Sequence, residues 1–256
     1  MMRTYTNMTW PDDPYRTGQQ LYRRPVSRLA GFAARRADAS ELAVAASAIV
    51  YLPLHRAQAV RVTEQTLTFG FRAASADDPA DMPALAAVAD LDLMQARRHA
   101  AVLAGHLLAG DLAVLRYGGD VAALRGLASV EREWAARGKA AGRAATFDCG
   151  LDLPESPPLE LACQQADVAT GPRPAGVDGR RAVTLAVERA LLIALVCARH
   201  LSRYEWAGTL RIEPALAAAT WDCLPQPAAD TAAVLTRQVA ATSGTHAGAP
   251  SPGNPR

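Results

Sequence analysis

The chain has 256 residues, half of them apolar, which fits one large domain or two small ones around a substantial core. Its 27 basic and 25 acidic residues give a net charge of +2, which excludes both a polyanion-coating basic protein and a strongly acidic disordered one. Lys139 is the only lysine, so arginine supplies nearly all the positive charge.

The N-terminal sequence contains no apolar segment of the kind that forms a secretory signal. The longest apolar run, 190–198, is about half as long as a bilayer-spanning helix. The four cysteines, whose even number leaves disulfides open, form no C-x-x-C pair, which argues against a structural zinc or redox motif. Scattered thiols fit a reducing compartment, so we expect a cytoplasmic protein without a metal or cofactor.

Residues 1–36 are predicted to form an extended arm, because they contain several prolines and no apolar period. Six arginines and no acid lie between residues 14 and 36, so this segment is strongly basic and the remainder of the chain is acidic. Aromatic residues lie among these arginines, as is typical of partner-binding surfaces. We assign partner binding to seven residues of the arm: Arg16, Tyr22, Arg23, Arg24, Arg28, Arg35 and Arg36.

Three roles fit such an arm. It can bind nucleic acid, with arginines on phosphates and aromatic rings stacked on bases. It can cover an acidic protein partner, or fold back onto the acidic remainder of its own chain. A nucleic-acid binder is more often basic overall, which places nucleic acid behind a protein partner or self-association.

The first half of the chain is predicted to be mainly helical. A helix at 39–50 precedes an alternating stretch at 67–72, which indicates a half-buried strand with 60–62 as its hairpin partner. A long run of good helix formers predicts one continuous helix at 84–109. The β-favouring residues at 112–117 then indicate a short strand.

The second half is predicted to contain the central helix of the fold. A helix at 120–145 precedes a proline-rich connection at 150–178, in which only 159–168 can form a short helix. The strongest helix pattern lies at 180–203 and is apolar all round in its middle, so it is expected to be covered on every side. The other predicted segments are a strand at 209–213, helices at 215–221 and 231–241, and a disordered tail at 242–256.

Together these elements predict a mainly α-helical protein, with a bundle-like core around 180–203 and a minor β element; an α+β fold is the alternative. The helical subdomain 37–149 contains the short strand pairing. The connection 150–178 leads from it to 179–241, the C-terminal helical part of the same core.

The candidate catalytic residues lie in the predicted helix 84–109. Asp92, His99 and His106 are seven residues apart, which places them near one helical face, and a histidine beside a carboxylate is a common acid–base pair. Residues seven apart on a helix are separated by about 10 Å, too far to bind one metal ion, so we assign no metal site. The favoured interpretation, however, is a polar helix face with surface histidines.

Glu188 and His200, on the predicted central helix, are the nearest candidates to complete such a site. Either one would have to lie within hydrogen-bond reach of His99 or His106 in a concave pocket. Glu188 next to an apolar run fits a buried acid, although a carboxylate that points outward from a solvated first turn is the favoured interpretation.

No glycine-rich phosphate loop and no G-x-S-x-G motif occurs in the sequence. Whether the protein is an enzyme stays open, although the residues favour the view that it is not. We therefore expect a non-catalytic accessory or scaffold subunit of a larger cytoplasmic assembly. Nucleic-acid binding through the arm is the first alternative, and an enzyme with a histidine–carboxylate site on helix 84–109 is the second.

Overall fold

A mixed β-sheet with helices on both faces forms the centre of the protein. The computed structural model describes residues 1–8, 27–36, 44–55, 57–118, 124–136, 144–169 and 179–224. The strands are β1 (Met2–Thr6), β2 (Ser27–Arg36), β3 (Val44–Leu54), β4 (Val60–Arg61), β5 (Gly70–Ala76), β6 (Val102–Gly105), β7 (Ala145–Asp148), β8 (Val168–Ala169), β9 (Tyr204–Glu205), β10 (Leu210–Arg211) and β11 (Asp222–Leu224). The α-helices are α1 (Met82–His99), α2 (Leu108–Gly118), α3 (Arg125–Ala136), α4 (Leu159–Gln165), α5 (Gly179–His200) and α6 (Glu213–Ala218).

The main sheet has the strand order β11-β1-β5-β3-β2-β6-β7. Strands β2, β6 and β7 run parallel to one another, and all other neighbours in this sheet are antiparallel. Two small parallel pairs, β4 with β9 and β8 with β10, lie outside it. Because its three parallel strands are neighbours, their carboxyl ends lie together at one edge of the sheet.

The prediction of a mainly helical protein is wrong, because the structure is α+β. The error starts at β2, whose Leu29 and Ala33 pack in the core under α5 while Ala30, Phe32 and Ala34 pack in the core under α1 to α3. A strand buried on both faces has no alternation of apolar and polar residues, so its period is hidden in the sequence.

The extended arm predicted at 1–36 is also wrong at both of its described ends. β1 pairs with β5 and β11, and β2 lies in the middle of the sheet between β3 and β6. The helix predicted at 39–50 is wrong for the same reason as β2, since β3 occupies 44–54 and its apolar residues from Ala45 to Leu52 are buried. High alanine content favours a helix locally, but the pairing with β2 and β5 overrides that preference.

The single helix predicted at 84–109 is divided into α1, β6 and the start of α2. β6 is a four-residue strand with Leu103 and Ala104 buried between β2 and β7. The strand predicted at 112–117 is wrong as well, because these residues continue α2. The hairpin predicted for 60–62 does not form, since β4 pairs with β9 instead.

Other predicted elements are closer to the structure. The central helix is confirmed as α5, and every residue from 190 to 198 is buried. The helix predicted at 120–145 is shorter, because α3 ends at Ala136 and β7 begins at Ala145. The short helices predicted at 159–168 and 215–221 correspond to α4 and α6, whereas the predictions for 231–241 and 242–256 lie outside the described residues.

The sheet separates two apolar cores. α5 and α4 cover one face, and α1, α2 and α3 cover the other. α5 lies so close to β2 that a Cβ on Gly31 would overlap the carbonyl oxygen of Ala190. Residues Met1–Leu224 form one compact unit, and no helix in its described ranges has both the length and the apolar character needed to cross a bilayer.

Candidate functional site

The carboxyl edge of β2, β6 and β7 is the place where the topology favours a site. The chain leaves β2 towards β3 on one side, whereas β6 is followed by β7 on the other side. In open sheets with parallel strands, ligands bind at the carboxyl ends of two neighbouring strands whose connections diverge in this way. The residues that follow these strands are therefore the first candidates for a functional site.

Asp148, the last residue of β7, is buried and accepts four hydrogen bonds at this edge. Its Oδ1 accepts from the backbone N–H groups of Leu107 at 2.8 Å and Gly150 at 2.9 Å. Its Oδ2 accepts from the N–H of Leu108 at 3.1 Å and from the indole N–H of Trp134 at 2.9 Å. This carboxylate thus occupies the position at the start of α2 where a helix would bind an external anion.

The turns after β6 and β7 carry unusual backbone conformations. Leu107, Glu155 and Ser156 have φ angles of 52°, 64° and 45°, in the left-handed region that bulky residues avoid. Leu107 has 52% of its surface exposed, and Leu151 in the following turn has 47%. The hydrogen bond to Asp148 fixes the backbone of Leu107, so this edge holds an exposed apolar side chain in a strained conformation.

His106 links the end of β6 to α5. Its Nδ1 lies 3.4 Å from the guanidinium of Arg189, and its Nε2 lies 3.2 Å from the carbonyl oxygen of Pro157. Because a guanidinium can only donate, Nδ1 is the acceptor and Nε2 carries the proton that it donates to Pro157. Both ring nitrogens of this buried histidine are therefore engaged by the fold.

The arrangement of Asp92, His99 and His106 on one helical face is wrong. His99 ends α1 and precedes β6, whereas His106 follows β6, so the strand separates the two imidazoles. Asp92 is buried on α1, with its Oδ1 3.2 Å from Nε of Arg72 on β5. Burial raises the pKa of Asp92 to about 6, an effect that the charge of Arg72 partly offsets.

Glu188 and His200 lie far apart on α5 and have different surroundings. Glu188 lines a cavity between α4 and α5, together with Arg189. His200 is exposed, and its ring packs against that of Phe147 with 5.1 Å between the centroids. His106 contacts Arg189 and Pro157, so the expected pairing of His106 with Glu188 or His200 does not form.

Other carboxylates join helices on the face covered by α1 to α3. Asp90 on α1 accepts from the N–H of Leu127 on α3 at 2.6 Å, and burial raises the pKa of this carboxyl. Arg97 on α1 forms a two-hydrogen-bond ion pair with Glu133 on α3. These carboxylates hold helices together rather than converge on a common point.

Of the residues assigned to the basic arm, Arg28, Arg35 and Arg36 belong to β2, and Arg35 lines the cavity between α4 and α5. The other assigned residues, Arg16, Tyr22, Arg23 and Arg24, lie outside the described residues. The arginines of β2 are therefore not part of a free arm, because their backbone pairs with β3 and β6.

Three cysteines are free and buried: Cys149, Cys163 and Cys197. Burial raises the pKa of Cys163 to about 12 and also raises the pKa of Cys149 and Cys197, so all three thiols are poor nucleophiles at neutral pH. Within the described ranges, no cluster of three or more histidine, cysteine, aspartate or glutamate side chains is placed to hold a metal ion.

Sequence reasoning missed Asp148, Leu107 and Arg189. A carboxylate directly before Cys149-Gly150 after an apolar stretch is a turn signal, but its helix-capping role depends on β6 lying next to β7. No protein-family model matches the chain, and no curated protein and no solved structure matches it.

Proposed function

We propose that the protein is a non-catalytic subunit that binds another protein through the edge formed by the turns after β6 and β7. We call this surface the leucine edge, and its residues are Leu107 and Leu151. The main support for the proposal is the conformation and exposure of Leu107. This leucine is exposed, and a buried carboxylate holds its backbone in the left-handed region.

The ionisable groups at this edge support a binding role over a catalytic one. Both carboxylate oxygens of Asp148 accept hydrogen bonds, four in total, and both ring nitrogens of His106 form hydrogen bonds within the fold. A general base or a nucleophile needs a free lone pair directed at a substrate. These two groups instead give the edge a rigid backbone.

The strain at Leu107 supports the same proposal. A left-handed conformation costs a leucine about 1 kcal/mol relative to glycine, which would relieve it. Exposure provides no compensation for this strain, because an apolar side chain that stays in water gains nothing from burial. A leucine that keeps both disadvantages fits a contact residue whose apolar surface is buried only in a complex.

We place this activity in the cytoplasm. The free thiols of Cys149, Cys163 and Cys197 fit a reducing compartment, where disulfides rarely persist.

The test compares three forms of the full chain as bait in extracts of the source cells, followed by cross-linking mass spectrometry and light scattering of the purified complexes. Leu107→Asn with Leu151→Asn removes the apolar surface, and asparagine tolerates the left-handed backbone. Leu91→Gln is the matched control, because Leu91 is 41% exposed on α1.

We expect the wild type and Leu91→Gln to retain the same partner, with cross-links near residue 107, and the double variant to lose it. A partner, or a second copy of the chain, that binds all three forms equally would overturn the proposal. So would a wild-type chain that stays monomeric and recovers no partner.

A further inference from the structure

The cavity between α4 and α5 has the form of a small-molecule site. Its volume is about 490 Å³, within the range of about 300–1,000 Å³ that is typical of ligand pockets. Leu159 of α4 and Leu185 and Leu192 of α5 give it an apolar lining, and all three side chains are buried. The cavity therefore offers apolar surface that a ligand can cover.

The cavity lies at the edge where the topology favours ligand binding. Arg35, at the carboxyl end of β2, lines it, and Arg189 connects it to His106 after β6. β2 and β6 are the two neighbouring parallel strands whose connections diverge. Position and shape thus indicate the same place.

Arg189 supplies the charge that selects the ligand. Arg189 is half-buried, and its one hydrogen bond within the described residues is the 3.4 Å contact with the His106 ring. No carboxylate of the described residues forms an ion pair with Arg189. A half-buried arginine without an ion-pair partner keeps N–H donors available, and a bound carboxylate would accept from two of them.

We infer that this cavity binds a small organic monocarboxylate, with the carboxylate on Arg189 and an apolar body against the leucines. A ligand of about ten non-hydrogen atoms fills roughly half of the cavity, at ~20–30 Å³ per atom. Phosphate has no apolar body, so it would gain nothing from the leucines of the lining. Its second charge also adds repulsion from the carboxylates that line the cavity, so a dianion is disfavoured relative to a monocarboxylate.

The test is a calorimetric titration of the full chain with phenylacetate, with phenylacetamide as its neutral counterpart and inorganic phosphate as the competing anion. We expect phenylacetate to bind with a dissociation constant on the order of 0.1 mM, and the amide and phosphate to bind at least about tenfold more weakly. Arg189→Gln should reduce phenylacetate affinity about tenfold or more. Arg189→Lys should fall between the two, since it keeps the charge and loses the planar fork.

Arg98→Gln is the matched control, because Arg98 is exposed on α1 and far from the lining. If Arg189→Gln fails to fold, Leu192→Phe replaces it, since a larger side chain fills the cavity without a change in charge. We expect the Arg98 variant to bind like the wild type and the Leu192 variant to lose binding. The inference would be overturned if phenylacetate and phenylacetamide bound with equal affinity, or if phosphate competed equally well. It would also be overturned if Arg189→Gln or Leu192→Phe left binding unchanged, or if no binding occurred up to about 10 mM.

Discussion

The two faces of the sheet are held to their helices by different forces. α5 packs on one face almost entirely through apolar side chains, so close that Gly31 has no room for a Cβ. On the other face, carboxylates bind α1 to its neighbours, through Asp92 to Arg72, Asp90 to α3 and Arg97 to Glu133. Both faces bury an apolar core, and the second adds these charged contacts, so we call the first the shape-dependent face and the second the charge-dependent face. Each should respond to a different perturbation.

The difference has a cause in the helices themselves. The middle of α5 is apolar all round, so shape complementarity alone fixes its position. α1 instead buries two charged side chains, Asp92 and Arg97, beside its apolar residues. Directional ion pairs and hydrogen bonds therefore add to apolar packing in determining how this helix is placed.

The largest expected effect is on the shape-dependent face. Gly31→Ala places a methyl group against the backbone of α5, and we expect a loss of about 3 kcal/mol or more in the free energy of unfolding. Gly110→Ala is the control, because Gly110 lies in α2 with open space around it and should gain about 0.5–1 kcal/mol. Urea unfolding measures both, and similar values for the two variants would contradict close packing at β2.

The next effect concerns Asp148, which joins β7, α2 and α3. Asp148→Ala leaves the N–H groups of Leu107 and Leu108 and the indole of Trp134 without their acceptor, and we expect a loss of about 3 kcal/mol. Trp134→Phe removes one donor and keeps a ring, so it should cost about 1–2 kcal/mol. Equal losses from the two variants in chemical unfolding would show that the carboxylate does not act through several donors.

The charge-dependent face should respond to pH through Asp92. Its pKa is raised to about 6 by burial, so between about pH 4 and 6 the folded state binds more protons than the unfolded state. Its stabilising contribution is therefore present below pH 4 and is lost as the pH rises through about 6, a change of about 2–3 kcal/mol.

Asp92→Asn removes this titration. We expect the variant to gain about 2 kcal/mol of stability relative to the wild type between pH 4 and pH 7, because only the wild type loses the contribution of protonated Asp92. Urea unfolding at the two pH values measures the difference. A constant difference between the two proteins across this range would contradict a raised pKa at Asp92.

The smallest effect is expected from the ion pair of Arg116 and Glu131, which joins α2 and α3 at 2.7 Å with both side chains partly exposed. A double-mutant cycle with alanine should give a coupling of about 0.5 kcal/mol that falls with added salt. The pair of Arg61 and Glu205, at 3.4 Å and more exposed, should give a smaller coupling. A coupling above about 1 kcal/mol in high salt would contradict the view that Arg116 and Glu131 form an ordinary surface ion pair.

These two faces also explain what the sequence could predict. α5 was predictable because its apolar middle lies between charged residues, and helix patterns of that length are unambiguous. β2 and β3 were not, because strands rich in alanine and buried on both faces resemble helices in sequence. The short strand β6 between α1 and α2 was not recognised in the sequence, and His106, which follows it, was therefore placed wrongly within a long helix.

The candidate site was predictable only in part. Glu188 was selected for its place beside an apolar run, and it lines the cavity. Asp148 and Arg189 depend on partners 40 and 83 residues away, Leu108 and His106, which no local pattern reveals. Contacts of that kind arise from strand order, so the residues become recognisable only after the sheet is known.

The pairing of β1 with β11 has a consequence for biosynthesis. Thr4 lies opposite Leu224, although 220 positions separate them in the chain. During translation β1 can pair with β5 early, whereas its outer edge stays open until the ribosome has released β11. For most of synthesis the nascent chain therefore carries an unpaired strand edge, which is the feature that chaperones shield and that pairs wrongly with other chains.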